Sequence, residues 1–126
     1  MKTEQKPKFT LAHIGINVAD GPEAEQDANI LAGLFELGIN EGAGNYFLDD
    51  SIEIMKIPGK GKAGHIAFAV DNIETAISYL EQKGILFARE YFKYDEAGKI
   101  AAAYLEKEVA GFALHLIERK QAGKQV

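Results

Sequence analysis

The side chains with the plainest capacity for chemistry are three histidines and one glutamate. His13, His65 and His115 are all the histidines of the chain. His13 and His65 sit in near-matching strings, LAHIGINV and AGHIAFAV, while Glu53 and His115 sit in a second pair, SIEIMK and FALHLIE. In that second pair a polar side chain stands between apolar neighbours, Ile52 and Ile54 around Glu53, Leu114 and Leu116 around His115. Imidazole and carboxylate are the side chains that move protons near neutral pH and hold divalent metals. Taken singly, a strand histidine is more often a satisfied core or surface residue, and a strand glutamate is usually solvated. All the histidines and one glutamate on repeat-related positions are not what that plain reading predicts.

The elements that must position these residues form two similar halves. LAHIGINV (11–18) alternates as a half-buried strand. Asp20 or Gly21 then caps a helix with Pro22 in its first turn, Ala24, Ala28, Leu31 and Phe35 as its buried stripe, and Gly38 as its stop. Short strands follow near 41–43, 45–48 and 51–57, the last two joined by a turn at Asp49 and Asp50. The second half opens with the strand GHIAFAV (64–70). Asp71 with Glu74 has the spacing of a capping box for a helix buried through Ile73, Ala76, Ile77 and Leu80 and ended by Gly84. Strands are expected over 86–94, 99–106 and 112–118, with DEAG (95–98) as a hairpin turn. Alternation places Ile66, Phe68 and Val70 on one face of the second opening strand and His65, Ala67 and Ala69 on the other. The bulky face suits a helix; the small-residue face leaves room for a cavity. Ile14, Ile16, Leu31, Phe35, Ile66, Phe68, Ile77 and Leu80 are the expected core. The organisation is thus one domain over 9–118: a first module (9–57), a linker (58–63) flexible by composition, and a second module (64–118). Residues 1–8 and 119–126 read as polar, flexible tails.

At 126 residues the chain suffices for one domain, and 47% hydrophobic with 26% charged residues is the balance of a globular protein. A net charge of −5 argues against a nucleic-acid partner. No apolar run approaches a membrane span, and the start MKTEQKPK lacks the apolar centre of an export signal, so a cytoplasmic setting is expected. The absence of cysteine excludes disulfides, zinc–thiolate sites and thiol catalysis.

The string AGHIAFAVDNIETAISYLEQKGI resembles the second-module opening of the vicinal oxygen chelate (glyoxalase-like) superfamily, in which a strand HIAxxVD runs into a helix ending near glycine. The resemblance spans roughly residues 9–118. It implies an α+β fold of two βαβββ modules forming a curved mixed sheet, with the helices on the convex side. It also implies that the first and last strands of each module supply one ligand each to a shared metal site, here His13, Glu53, His65 and His115. Three imidazoles and one carboxylate suit Zn, Ni, Co, Fe or Mn rather than calcium. Members of this kind form homodimers, some by exchanging modules across the linker.

The fourth position departs from glyoxalase I, which has glutamate where this chain has His115; the Asp-Pro-Asp-Gly turn of that enzyme is replaced by KEVAG (107–111). Glu53 is then the carboxylate available as catalytic base. The run GIN…SIEIMK…GHIA…KYDEAGKI…YLEKEVAGFALHL looks like the glyoxalase-like domain associated with keto-hydroxyglutarate / keto-deoxyphosphogluconate aldolase, which implies a sugar-acid aldolase as partner. The expected function is a metal-dependent lyase or isomerase acting through an enolate on a small 2-oxo or 2-hydroxy acid, in 2-dehydro-3-deoxyphosphogluconate / 4-hydroxy-2-oxoglutarate metabolism. The alternatives are a non-catalytic small-molecule-binding or aldolase-accessory domain and an iron-dependent dioxygenase. Arg89, sharing a strand face with Tyr91 and Lys93, is the candidate clamp for a substrate carboxylate or phosphate, with a solvated strand edge as its plainer reading. The linker string GKGK (59–62) could meet an anion, yet it lacks the Ser or Thr of a phosphate loop and reads as a hinge.

Overall fold

The structure, a computed structural model, describes residues 6–119. Residues 1–5 and 120–126, most of the expected tails, lie outside the described residues. The chain runs β1 (Thr10–Asn17), α1 (Gly21–Phe35), β2 (Ile39–Glu41), β3 (Asn45–Leu48), β4 (Ile52–Met55), β5 (Gly64–Val70), α2 (Ile73–Gln82), β6 (Lys93–Tyr94), β7 (Ile100–Val109) and β8 (Phe112–Glu118). All strands join one curved, mixed sheet in the order β2-β3-β4-β1-β5-β8-β7-β6. Each half reads outward from the centre as first, fourth, third and second strand. The two first strands, β1 and β5, pair antiparallel at the seam, and each lies parallel to its own fourth strand.

Both helices pack on the same, convex face. Ala24 and Ala28 let α1 sit close to Tyr46, Leu48 and Ile54, and Ile73, Ala76 and Ile77 of α2 join Val70, Phe87, Phe92, Ala103 and Leu116. These are two separate apolar clusters, one under each helix. Ile77 is buried as expected, and Ile14, Ile16, Leu31, Ile66, Phe68 and Leu80 are partly buried, but Phe35 is 64% exposed. The reason is the end of α1. Glu36, not Gly38, forms the cap in a left-handed conformation (φ 58°), and the Leu37 N–H returns to the Ala32 carbonyl at 3.1 Å. Leu37, instead of Phe35, then closes that core.

Two other expectations need correction. Asn72, not Asp71, caps α2 by accepting from the Thr75 N–H at 2.9 Å, while Asp71 receives the Arg119 guanidinium at 2.7 Å. Arg119 also donates to Thr10 Oγ1 and the Lys8 carbonyl, so these ends of the expected tails are tied to the fold. The strand expected over 86–94 is a single bridge from Phe87 to Leu105, then a 3-10 turn at Arg89–Tyr91, then the two residues of β6. Phe87 and Phe92 both enter the core under α2, with ring centroids 6.1 Å apart. An odd separation puts two residues on opposite faces of a regular strand, and the turn is what re-phases them.

The segment between β4 and β5 is held rather than loose. Asn17 donates to the Gly61 carbonyl at 2.9 Å and accepts from the Gly59 N–H at 3.0 Å, and the Ala63 N–H reaches the Gly111 carbonyl. Gly61 (φ 100°) approaches so closely that an added Cβ would stand 2.0 Å from the Gly64 carbonyl. Glycine here permits close packing. Among the described residues, no helix is long and apolar enough to cross a membrane.

Candidate metal centre

The concave face carries a checkerboard of polar and small residues, set by strand register. One row across the sheet runs Phe47, Glu53, Gly15, His65 and Ala113; the next runs His13, Ala67, His115 and Tyr104. Residues directly paired across strands share a face. Gly15, Ala67 and Ala113 therefore leave open the space into which the neighbouring rings lean. At Gly15 the requirement is strict, because an added Cβ would lie 2.0 Å from His65 Cε1. A bulge between Leu11 and His13 shifts the register of β1 against β5. It gives Leu11 and His13, which a regular strand would put on one face, to opposite faces.

These rows bring all four candidate ligands together. His65 Nε2 lies 3.3 Å from His13 Nε2 and 3.0 Å from Glu53 Oε1, and His13 Nε2 lies 3.5 Å from the same oxygen. His13, His65 and His115 each offer a nitrogen within 4.8 Å of the others. Four donors about 2.1 Å from one zinc ion stand about 3.4 Å apart in a tetrahedron, so the His13, His65 and Glu53 spacings fit such an ion. Glu53 Oε2 accepts from Asn45 Nδ2, which orients the carboxylate. Glu53, His65 and His115 are buried, and neither ring nitrogen of His115 has a hydrogen-bond partner. A buried orphan of that kind costs roughly 1–3 kcal/mol, so the donor set calls for a cation or a ligand to complete it.

The electrostatics keep the cluster ready for a cation. Burial pushes the His115 imidazole down to about 3; His65, His13 and Lys93 act in the same direction, and Glu53 opposes. Burial also lowers His13, against the pull of Glu53 and with help from His65. For Glu53, burial acts upward, but hydrogen bonds from His65 and Asn45 and the charges of His65 and His13 hold it below the usual carboxylate range. Neutral imidazoles and an ionised carboxylate are the ligating forms.

The cluster forms the base of a cavity of about 680 Å³, lined beyond it by Phe47, Met55, Tyr104 and, toward the 58–63 segment and β6, by Lys60, Tyr91 and Lys93. Tyr91 thus meets the cavity, but Arg89 does not. It stands in the 3-10 turn with its guanidinium on Glu81 at 2.5 Å and over the Phe92 ring, so it is not the expected clamp. Sequence reasoning missed Tyr104, whose ring packs 4.5 Å from that of His115 and whose hydroxyl is pushed up by burial and by Glu53. Its place inside the strand expected over 99–106 was the available signal. It also missed Asn45 and Gly15, whose roles depend on cross-strand pairing that no local pattern reveals.

No protein-family model matches the chain. Over 70 residues it is 36% identical to lactoylglutathione lyase of Schizosaccharomyces pombe, a stretch that covers 56% of this chain and 22% of that much longer protein. Among solved structures, a hypothetical protein from Bacillus halodurans C-125 superposes with a TM-score of 0.65 at 23% identity, over 93% of this chain and 99% of that one. Methylmalonyl-CoA epimerase from Mycobacterium tuberculosis superposes at 0.63 with 16% identity, over 89% of each chain. The Streptomyces coelicolor epimerase, in complex with 2-nitronate-propionyl-CoA, gives 0.61 at 15% identity, over 94% of this chain and 99% of that one. The chain therefore has the glyoxalase-like fold of these structures, one curved mixed sheet of eight strands with both helices on one face.

Proposed function

We propose that the protein is a metal-dependent glyoxalase-like isomerase or lyase, with its cation held by His13, Glu53, His65 and His115 and a small 2-oxo or 2-hydroxy acid as substrate. The observation that carries this reading is the buried, unpartnered imidazole of His115 among two further imidazoles and a carboxylate. The likeness to lactoylglutathione lyase supports it. When bound, a divalent cation supplies Lewis acidity toward neighbouring substrate oxygens. The residues around it handle the proton. Glu53 is ionised at neutral pH and accepts a proton from the carbon next to the substrate carbonyl, while Asn45 holds the carboxylate in place. Tyr104 keeps its proton and can donate to a developing oxyanion. Phe47 and Met55 line the cavity with apolar surface that limits water near the reacting carbon.

Two substitutions test the assignment. His65→Ala removes the most buried contact to Glu53 and should abolish most metal uptake, measured as metal content after purification without chelators. Glu53→Gln should retain part of the metal but lose exchange of the substrate α-proton with deuterated water. Unchanged metal content in the first variant overturns the four-ligand site, and unchanged exchange in the second moves the base elsewhere.

A further inference from the structure

We infer that Lys60 and Lys93 form an anion subsite at the mouth of the cavity, which takes the phosphate or second carboxylate of a substrate whose other end reaches the histidine–glutamate cluster. The inference deepens the proposed function and rests on it for the location of the reacting end. Four observations support the subsite. Both lysines line the cavity, and among the described residues Glu53 is the one carboxylate doing so. Neither lysine has a carboxylate partner among the described residues; Lys62, Lys83, Lys99 and Lys107 share this, but of these lysines only Lys60 and Lys93 line the cavity. Two unpaired cations facing one cavity run against the net charge of −5. The cavity, at about 680 Å³, is far larger than a three-carbon acid requires.

The placement of Lys60 argues against a freely solvated side chain. Its backbone is fixed on both sides, because Asn17 bonds to Gly59 and to Gly61. Its ammonium stands 5.0 Å from the centroid of the Tyr91 ring, a cation–π contact that holds the charge toward the cavity. Lys93 lies on β6 opposite Ala102, itself part of the cavity wall, and its charge is felt at His115. Thus the GKGK segment, a hinge by composition, delivers one lysine, and the edge strand delivers the other. Ammonium groups act as point charges toward phosphate or carboxylate oxygens without imposing a fork geometry, so both anions fit.

The test uses inorganic phosphate and, separately, succinate as probes with the metal-free protein, followed by phosphorus NMR for phosphate and by calorimetry for both. Phosphate binding should weaken about tenfold or more in Lys60→Ala and in Lys93→Ala, from loss of a charged hydrogen bond. Lys60→Arg should retain it, and Lys83→Ala, at a lysine outside the cavity over the Tyr79 ring, should leave it intact. A preference for phosphate over succinate identifies a phosphorylated substrate, and the reverse identifies a dicarboxylic one. Equal phosphate affinity in the parent and in both alanine variants overturns the subsite. Because the probes are applied without metal, that outcome is separate from failure of the metal site, which is read from metal content in His65→Ala.

Discussion

His115 shows what a single side chain can carry. Its imidazole is 6% exposed, packed against Tyr104, and neither nitrogen is hydrogen-bonded. In the metal-free protein this has a pH signature. The unfolded chain takes up a proton at His115 near 6.5, whereas the folded chain resists until about 3. Between those values the unfolded state binds more protons, so stability is fully present above about pH 6.5 and falls as pH falls, by at most about 1.4 kcal/mol per pH unit from this group. The lowered His13 acts with the same sign, and the lowered Glu53 does so below its ordinary value of 4.5. His115→Leu should therefore flatten the decline between pH 6.5 and 4, measured by urea unfolding of chelator-treated protein at several pH values. Parallel curves for parent and variant would show that the ring is not held neutral by its surroundings.

At the level of elements, the site depends on what strands place side by side. The strand GHIAFAV, its two faces and the four polar positions were legible because period-two alternation and repetition are local properties. The bulge beside His13, the glycine beneath His65 and the turn that removes Arg89 from the cavity were not, because each answers to a partner distant in sequence. Gly15 makes the point most sharply. In sequence it is one small residue in an alternating strand; in the sheet it lies between Glu53 and His65. Gly15→Ala keeps the strand backbone allowed but puts a methyl where the His65 ring lies. The variant should fold, with an unchanged far-UV circular dichroism spectrum, and bind metal at least tenfold more weakly than the parent. That corresponds to about 1.4 kcal/mol, the smallest penalty expected when a ring must leave its place for an inserted methyl. Parent-like metal affinity in Gly15→Ala would show that the His65 ring does not need the space over residue 15.

For the whole molecule, the question is how the two apolar cores under the helices behave as one unit. The cluster under α1 and the cluster under α2 share no buried residue, and their halves meet at the β1–β5 pair. The proposed ligands straddle that seam: His13 and Glu53 come from one half, His65 and His115 from the other. A cation bound by all four would therefore be lost when either half opens, and its binding energy would stabilise both. At a free metal concentration 100 times Kd this amounts to about 2.7 kcal/mol. Leu48→Ala weakens the first core and Ile77→Ala the second, each by about 2–5 kcal/mol for a fully buried chain. With saturating zinc, both variants should unfold in a single transition whose midpoint zinc raises to a similar extent, followed by far-UV circular dichroism because the chain has no tryptophan. A cation held by the second half alone predicts a different result: Leu48→Ala would unfold in two steps, with zinc delaying only the second. One shared shift in both variants requires that the metal centre be built from both halves of the sheet.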